Sequence, residues 1–85
     1  MFYVYMVISK VKNRYISYVG YTNNLKQRVL LHNGSKGAKF TRGKFWKLAY
    51  SKKYSSRSEA MQNEFKLKKD RIKRNLIKFK FISSL

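Results

Sequence analysis

The stretch FYVYMVISKVKNRYISYVG, residues 2–20, decides the fold. Phe2 to Ser9 is aromatic or β-branched almost throughout, as expected of a strand buried on both faces. KVKNR (10–14) is polar and reads as a turn, and residues 15–20 give a second apolar run that ends at Gly20. The first twenty residues therefore predict a β-hairpin. Working outward, TNNLKQRVLLHNG predicts a helix, with Thr22 or Asn23 as N-cap and Gly34 where a left-handed C-terminal residue is expected. Leu25, Arg28, Val29 and His32 recur at i, i+3, i+4 and i+7, so two polar residues share or flank the buried stripe of that helix. SKGAKFTRGK (35–44) reads as a basic loop. FWKLAYSKKY (45–54) reads as a half-buried strand, because Trp46, Leu48 and Tyr50 alternate with polar or small residues.

Composition bounds the partner. Among 85 residues there are 21 lysines and arginines against three acids, a formal net charge of +18. Hydrophobic residues make up 44% of the chain, too many for a disordered basic tail. A single domain spanning residues 1–85 is expected, with no cysteine to staple it. No apolar run approaches the ~18–20 residues that span a bilayer, and MFYVYMVISK lacks the regions of a secretory signal. Those features predict a cytoplasmic protein with a polyanionic partner, nucleic acid or an anionic membrane surface. Several short elements separated by turns speak against a membrane-surface peptide, which would be one basic amphipathic helix.

All three acids, Glu59, Glu64 and Asp70, lie within EAMQNEFKLKKD (59–70). Ser56 and Glu59 fit a capping box, in which the glutamate reaches back to the Ser56 amide. Asp70 separates LKK from RIKRNLI and fits the N-cap of a final short helix. Glu64 has no such local role: it lies four residues after Ala60 and three before Leu67, on the side of the helix turned toward the core. A carboxylate there needs a partner, because burying it unpaired is costly. Spacing alone favours an ion pair with one of the many cations.

Taken in order, Tyr3-Val4-Tyr5, Tyr18-Val19-Gly20, Arg28, His32 and Glu64 resemble the GIY-YIG nuclease family. The likeness covers residues 2–77, leaving 78–85 as a basic tail. It is nearest to the small stand-alone bacterial members, with the N-terminal domain of the excision-repair nuclease more distant. Tyr3 departs from the pattern, standing where the first motif has glycine. The resemblance implies an α+β domain with a three-stranded, mostly antiparallel sheet flanked by three helices. It also implies hydrolysis of nucleic-acid phosphodiesters, with DNA the expected substrate and one divalent metal, Mg2+ or Mn2+, the only cofactor. DNA repair is among the roles the family suggests. Carried over by position, Glu64 would ligate the metal, Arg28 would hold the scissile phosphate, and Tyr5 and Tyr18 would flank the attacking water. His32 would support the same site, and Asn75 is the nearest match to an asparagine that some members use.

The residue types suit that chemistry. Attack on a phosphodiester builds charge on the phosphoryl oxygens, which a planar guanidinium and a hard cation stabilise. Magnesium keeps most of its waters, so one glutamate suffices. Tyrosine, with a free pKa near 10, is a poor base at neutral pH unless neighbouring cations lower it, whereas histidine titrates near 6.5. Tyr5, Tyr18 and His32 are thus all candidate bases. Lys36, Lys39 and Arg42, with Gly37 allowing close backbone approach, and Gly20 beside Tyr18, form an expected phosphate-gripping surface; Lys68 and Lys69 belong to a basic C-terminal track. The competing reading is a nucleic-acid-binding module of the same fold that does not cleave.

Overall fold

A computed structural model describes all 85 residues. β1 (Phe2–Val11) and β2 (Arg14–Thr22) form the expected hairpin, turning through Lys12, which takes a φ of 58°. Helix α1 (Leu25–Asn33) and a 3-10 turn (Lys39–Thr41) lead to β3 (Lys47–Tyr54), and α2 (Arg57–Lys69) and α3 (Arg71–Ser83) complete the chain. The sheet order is β2-β1-β3 and both pairings are antiparallel. α3 runs 13 residues, longer than the short helix expected, and takes in most of the presumed tail because Ile77 and Phe81 pack against the core.

Central position explains the composition of β1. Val4, Met6 and Ile8 point to one face, where they pack with Val19 and with Ala60 and Leu67 of α2. Tyr5 and Val7 point to the other and meet Trp46, Leu25 and Val29. Apolar side chains on both faces of one strand thus hold α1 and the loop after it on one side, and α2 with α3 on the other. β3 does not keep strict alternation: a register shift opposite Met6 and Val7 turns both Ala49 and Tyr50 toward the first core and leaves Leu48 41% exposed. No helix is long and apolar enough to cross a membrane.

The helix ends obey local chemistry, with three corrections. Asn24, rather than Thr22 or Asn23, caps α1: its Oδ1 accepts from the Gln27 N–H at 3.1 Å, while the Thr22 hydroxyl accepts the Asn24 N–H. At the other end Gly34 has an ordinary φ of −87°, and Ser35 takes the left-handed conformation at 61°. The Lys36 N–H reaches Leu31 O and the Ser35 N–H reaches His32 O, which is the Schellman pattern with Ser35 past the cap. Ser56 caps α2 as expected, but Glu59 accepts hydroxyl hydrogen bonds from Ser55 and Ser56 instead of the Ser56 amide. Asp70 caps α3 by accepting the Lys73 N–H at 3.0 Å.

Candidate active site

The site is built on the α1 face of the sheet. Tyr5 lies opposite Gly20 in the ladder, with its ring laid across that residue; a Cβ on Gly20 would sit 2.5 Å from the Tyr5 hydroxyl oxygen. Gly20 therefore makes room for Tyr5. His32, the fourth residue of the α1 stripe, is buried, its imidazole 5.7 Å from the Tyr5 ring and 5.2 Å from Tyr18, centroid to centroid. Gly37 passes directly over the imidazole, so closely that any Cβ would collide with it. The close approach foreseen for Gly37 is thus to His32.

Hydrogen bonding fixes the histidine tautomer. Nε2 lies 2.7 Å from the Tyr5 hydroxyl and Nδ1 lies 2.9 Å from Thr41 Oγ1. Thr41 Oγ1 is also 2.8 Å from Ala38 O, which can only accept, so the one hydroxyl proton of Thr41 is committed there. Nδ1 must then carry the hydrogen and donate it to Thr41, leaving Nε2 as the acceptor. Consequently Tyr5, itself buried, donates to His32, with the Arg28 charge on its other side.

Trp46 locks this arrangement from outside. Its indole N–H donates to Thr41 O at 2.9 Å, its backbone N–H donates to Asn33 Oδ1, and Asn33 Nδ2 donates back to Trp46 O at 3.0 Å. Those bonds tie the 3-10 turn to both α1 and β3. Lys36, Lys39 and Arg42 remain exposed around it, and Phe40 stacks on Tyr18 with its outer side in solvent.

Arg28 stands one helical turn before His32, and its Nε is buried with no hydrogen-bond partner. With Asn23, Thr22 and Arg57, the start of α2, it lines a hollow of about 410 Å³. Arg57 leans on the Tyr21 hydroxyl at 3.4 Å. Two guanidinium groups therefore share one opening, as an anion site would require. Glu64 lies in line with buried Ala60 and Leu67, its side chain 17% exposed, and forms an ion pair with Lys68 at 3.3 Å. No cluster of three or more His, Asp or Glu side chains exists anywhere in the chain.

Burial pushes the Tyr5 pKa well above the ordinary tyrosine value; the Arg28 charge opposes this without overcoming it, and Tyr18 and Glu64 push it higher still. Arg28 does not make Tyr5 a phenolate. His32 moves the other way, its pKa lowered by burial and then by the Arg28 charge, so the imidazole is neutral at neutral pH. The unfolded chain binds a proton on His32 near pH 6.5, which the folded chain resists. Stability from this residue is therefore complete above about pH 6.5 and declines as pH falls toward the lower folded pKa. Melting temperature should drop between about pH 7 and pH 5 in the wild type, and His32→Gln should lose that part of the decline.

Over residues 1–77 the chain matches the family described as the GIY-YIG catalytic domain. The chain belongs to the GIY-YIG family. Among curated relatives it is 50% identical over 52 residues to a UPF0213 protein of Oceanobacillus iheyensis, covering 60% of each chain. It is 43% identical over 67 residues to a UPF0213 protein of Staphylococcus haemolyticus, covering 78% of each, and 41% identical over 66 residues to one from Clostridium perfringens, covering 76% of this chain and 70% of that protein. The chain spans less than two thirds of the length of the Oceanobacillus and Bacillus licheniformis relatives. No solved structure matches.

Within this GIY-YIG domain Tyr5, Tyr18 and His32 converge, Arg28 lies beside Tyr5, and the Glu64 charge reaches Tyr5. Asn75 does not join them: it is exposed on α3, which packs on the opposite face of the sheet. Lys69 is turned onto the Phe65 ring at 4.2 Å, and Lys68 onto Glu64. The sequence reads Trp46 only as a strand residue and gives Thr41 and Arg57 no role at the site. A single tryptophan after a glycine-rich loop was a signal for Trp46; Thr41 and Arg57 offered none, since only the folded chain brings them to His32 and Arg28.

Proposed function

We propose that this protein is a metal-dependent endonuclease that hydrolyses DNA phosphodiester bonds at the Arg28 hollow, backed by the buried Tyr5–His32 pair. Membership of a nuclease superfamily supports a nucleic-acid substrate and hydrolysis. The observation that carries the rest is the buried, unpartnered Arg28 Nε beside a tyrosine whose proton is already directed at a neutral imidazole. A buried donor left unmade is costly, and a phosphoryl oxygen in the Arg28–Arg57 hollow would satisfy it.

The geometry supports a division of labour. Arg28 grips the scissile phosphate, with Arg57 on the same or an adjacent one. Tyr5, too buried to exist as a phenolate, passes its proton to His32 Nε2 as its oxygen accepts one from the attacking water. Thr41 holds the Nδ1–H so that Nε2 stays ready to accept. Tyr18 packs the imidazole edge and keeps it in line. Glu64 suits a hard cation, because its carboxylate accepts no hydrogen bond and has one ion-pair partner, the flexible and half-exposed Lys68. Magnesium or manganese there would offset the charge developing on the phosphoryl oxygens. Lys36, Lys39 and Arg42, exposed around the 3-10 turn, would steer the backbone, whereas Lys68 and Lys69 would add only non-specific attraction.

Incubation of the protein with single-stranded, double-stranded and branched DNA, with Mg2+ or Mn2+ and then with chelator, tests this reading. Cleavage should require the ion and should fall by about 10³-fold in Arg28→Ala, the scale expected for losing a charged transition-state contact. Equal behaviour of wild type and Arg28→Ala would favour the non-catalytic binding module.

A further inference from the structure

On the face of the sheet away from Tyr5 and His32, α3 leaves an apolar stripe in solvent: Ile72 is 77% exposed, Leu76 59% and Phe79 69%. These positions recur at i, i+4 and i+7, one side of the helix, while Ile77 and Phe81 on the other side serve the core. Beside the stripe, between α3 and β3, runs a hollow of about 540 Å³ floored by Ala49, Tyr50, Ile77 and Phe81. β3 is an edge strand, so no further strand closes it. Lys73 and Lys80 stand along its α3 wall, two helical turns apart, about 10 Å along the axis.

We infer that this groove is a docking site for an acidic amphipathic helix of a partner protein. An apolar floor with two cations along one wall asks for a ligand with apolar side chains on one face and carboxylates about two turns apart at its border. Nucleic acid meets the charge but has nothing to place against Ala49, Ile77 and Phe81. A flat membrane surface would leave the concavity unfilled. A second copy of this chain would bring its own lysines to Lys73 and Lys80, against the repulsion of two chains of net charge +18. Because the groove and the Tyr5–His32 pair lie on opposite faces of the sheet, a docked helix leaves the Tyr5 side uncovered and would act by bringing the proposed nuclease to its place of work.

The probe is a synthetic helix with leucine at i, i+4 and i+7 and glutamate at its borders, titrated at physiological salt while backbone amide shifts are followed by NMR. Shifts should concentrate at Ala49, Tyr50, Leu76, Ile77 and Phe81, and affinity should fall at least tenfold in Leu76→Ser and in the Lys73→Ser/Lys80→Ser double variant. Leu76 and both lysines are exposed, so these variants should melt as wild type does, which circular dichroism checks. Polyglutamate of equal charge should bind without the Leu76 dependence. Equal binding of polyglutamate and the helix, shifts centred on the Arg28 hollow, or Leu76-dependent binding to anionic lipid vesicles in place of the peptide would each overturn the assignment.

Discussion

Glu64→Gln should slow DNA cleavage in magnesium or manganese by about 10² to 10³-fold in the single-turnover rate, while DNA affinity stays the same or rises slightly. The substitution keeps the shape of the side chain and removes only its charge. Two roles for Glu64 make opposite forecasts. As the partner of Lys68 in a partly exposed i, i+4 pair, it contributes about 0.3 to 0.5 kcal/mol, and losing it would leave catalysis untouched. As the carboxylate that holds a hard cation near Tyr5 and Arg28, its loss removes most of the charge compensation at the phosphate. Fluorescence anisotropy separates binding from cleavage, since formal charge rises by one and non-specific affinity follows charge. A Glu64→Gln enzyme that cleaves like wild type would reduce Glu64 to a surface ion pair. Wild type in chelator should match the variant.

Trp46→Ala should remove a large share of the chain's stability and lower its urea midpoint well below that of the wild type. Burying a tryptophan of 1% exposure and then deleting it costs about 3 to 5 kcal/mol in lost transfer energy and cavity. A domain of this size holds roughly 4 to 13 kcal/mol in all, at ~0.05–0.15 kcal/mol per residue. The variant also strands Thr41 O, which accepts the indole N–H, while the Asn33 bonds to the backbone of residue 46 survive. Trp46→Phe should fall between, keeping most of the apolar area and losing the hydrogen bond at about 1 to 3 kcal/mol. Urea denaturation monitored by circular dichroism measures both. A Trp46→Ala midpoint within error of wild type would mean that the loop is not held as described.

Much of the fold was legible because its determinants are local or periodic. Caps at Ser56 and Asp70 act over three residues, so the helices they start could be placed from sequence. The misplacements are of the same short range: Asn24 outcompeted its neighbours because its side chain alone reaches Gln27 N, and Ser35 took the left-handed turn because α1 winds one residue past Gly34's expected place. Leu48 escaped because a bulge is a property of two strands meeting, invisible in either one.

From the sequence by itself came a chain that buries its first strand on both faces, carries +18 and orders Tyr5, Tyr18, Arg28, His32 and Glu64 in a pattern that resembles the GIY-YIG family. Only the tertiary structure decided what those side chains do to one another. Tyr5 and His32 are 27 residues apart and Thr41 nine beyond His32, so the direction of the proton between them depends on contacts no local pattern encodes. The same holds for the Arg28 Nε, whose missing partner is a fact of burial, and for the groove of α3, whose apolar stripe is uncovered only because of how the helix packs. Local free energies set the elements, and desolvation on assembly sets the chemistry.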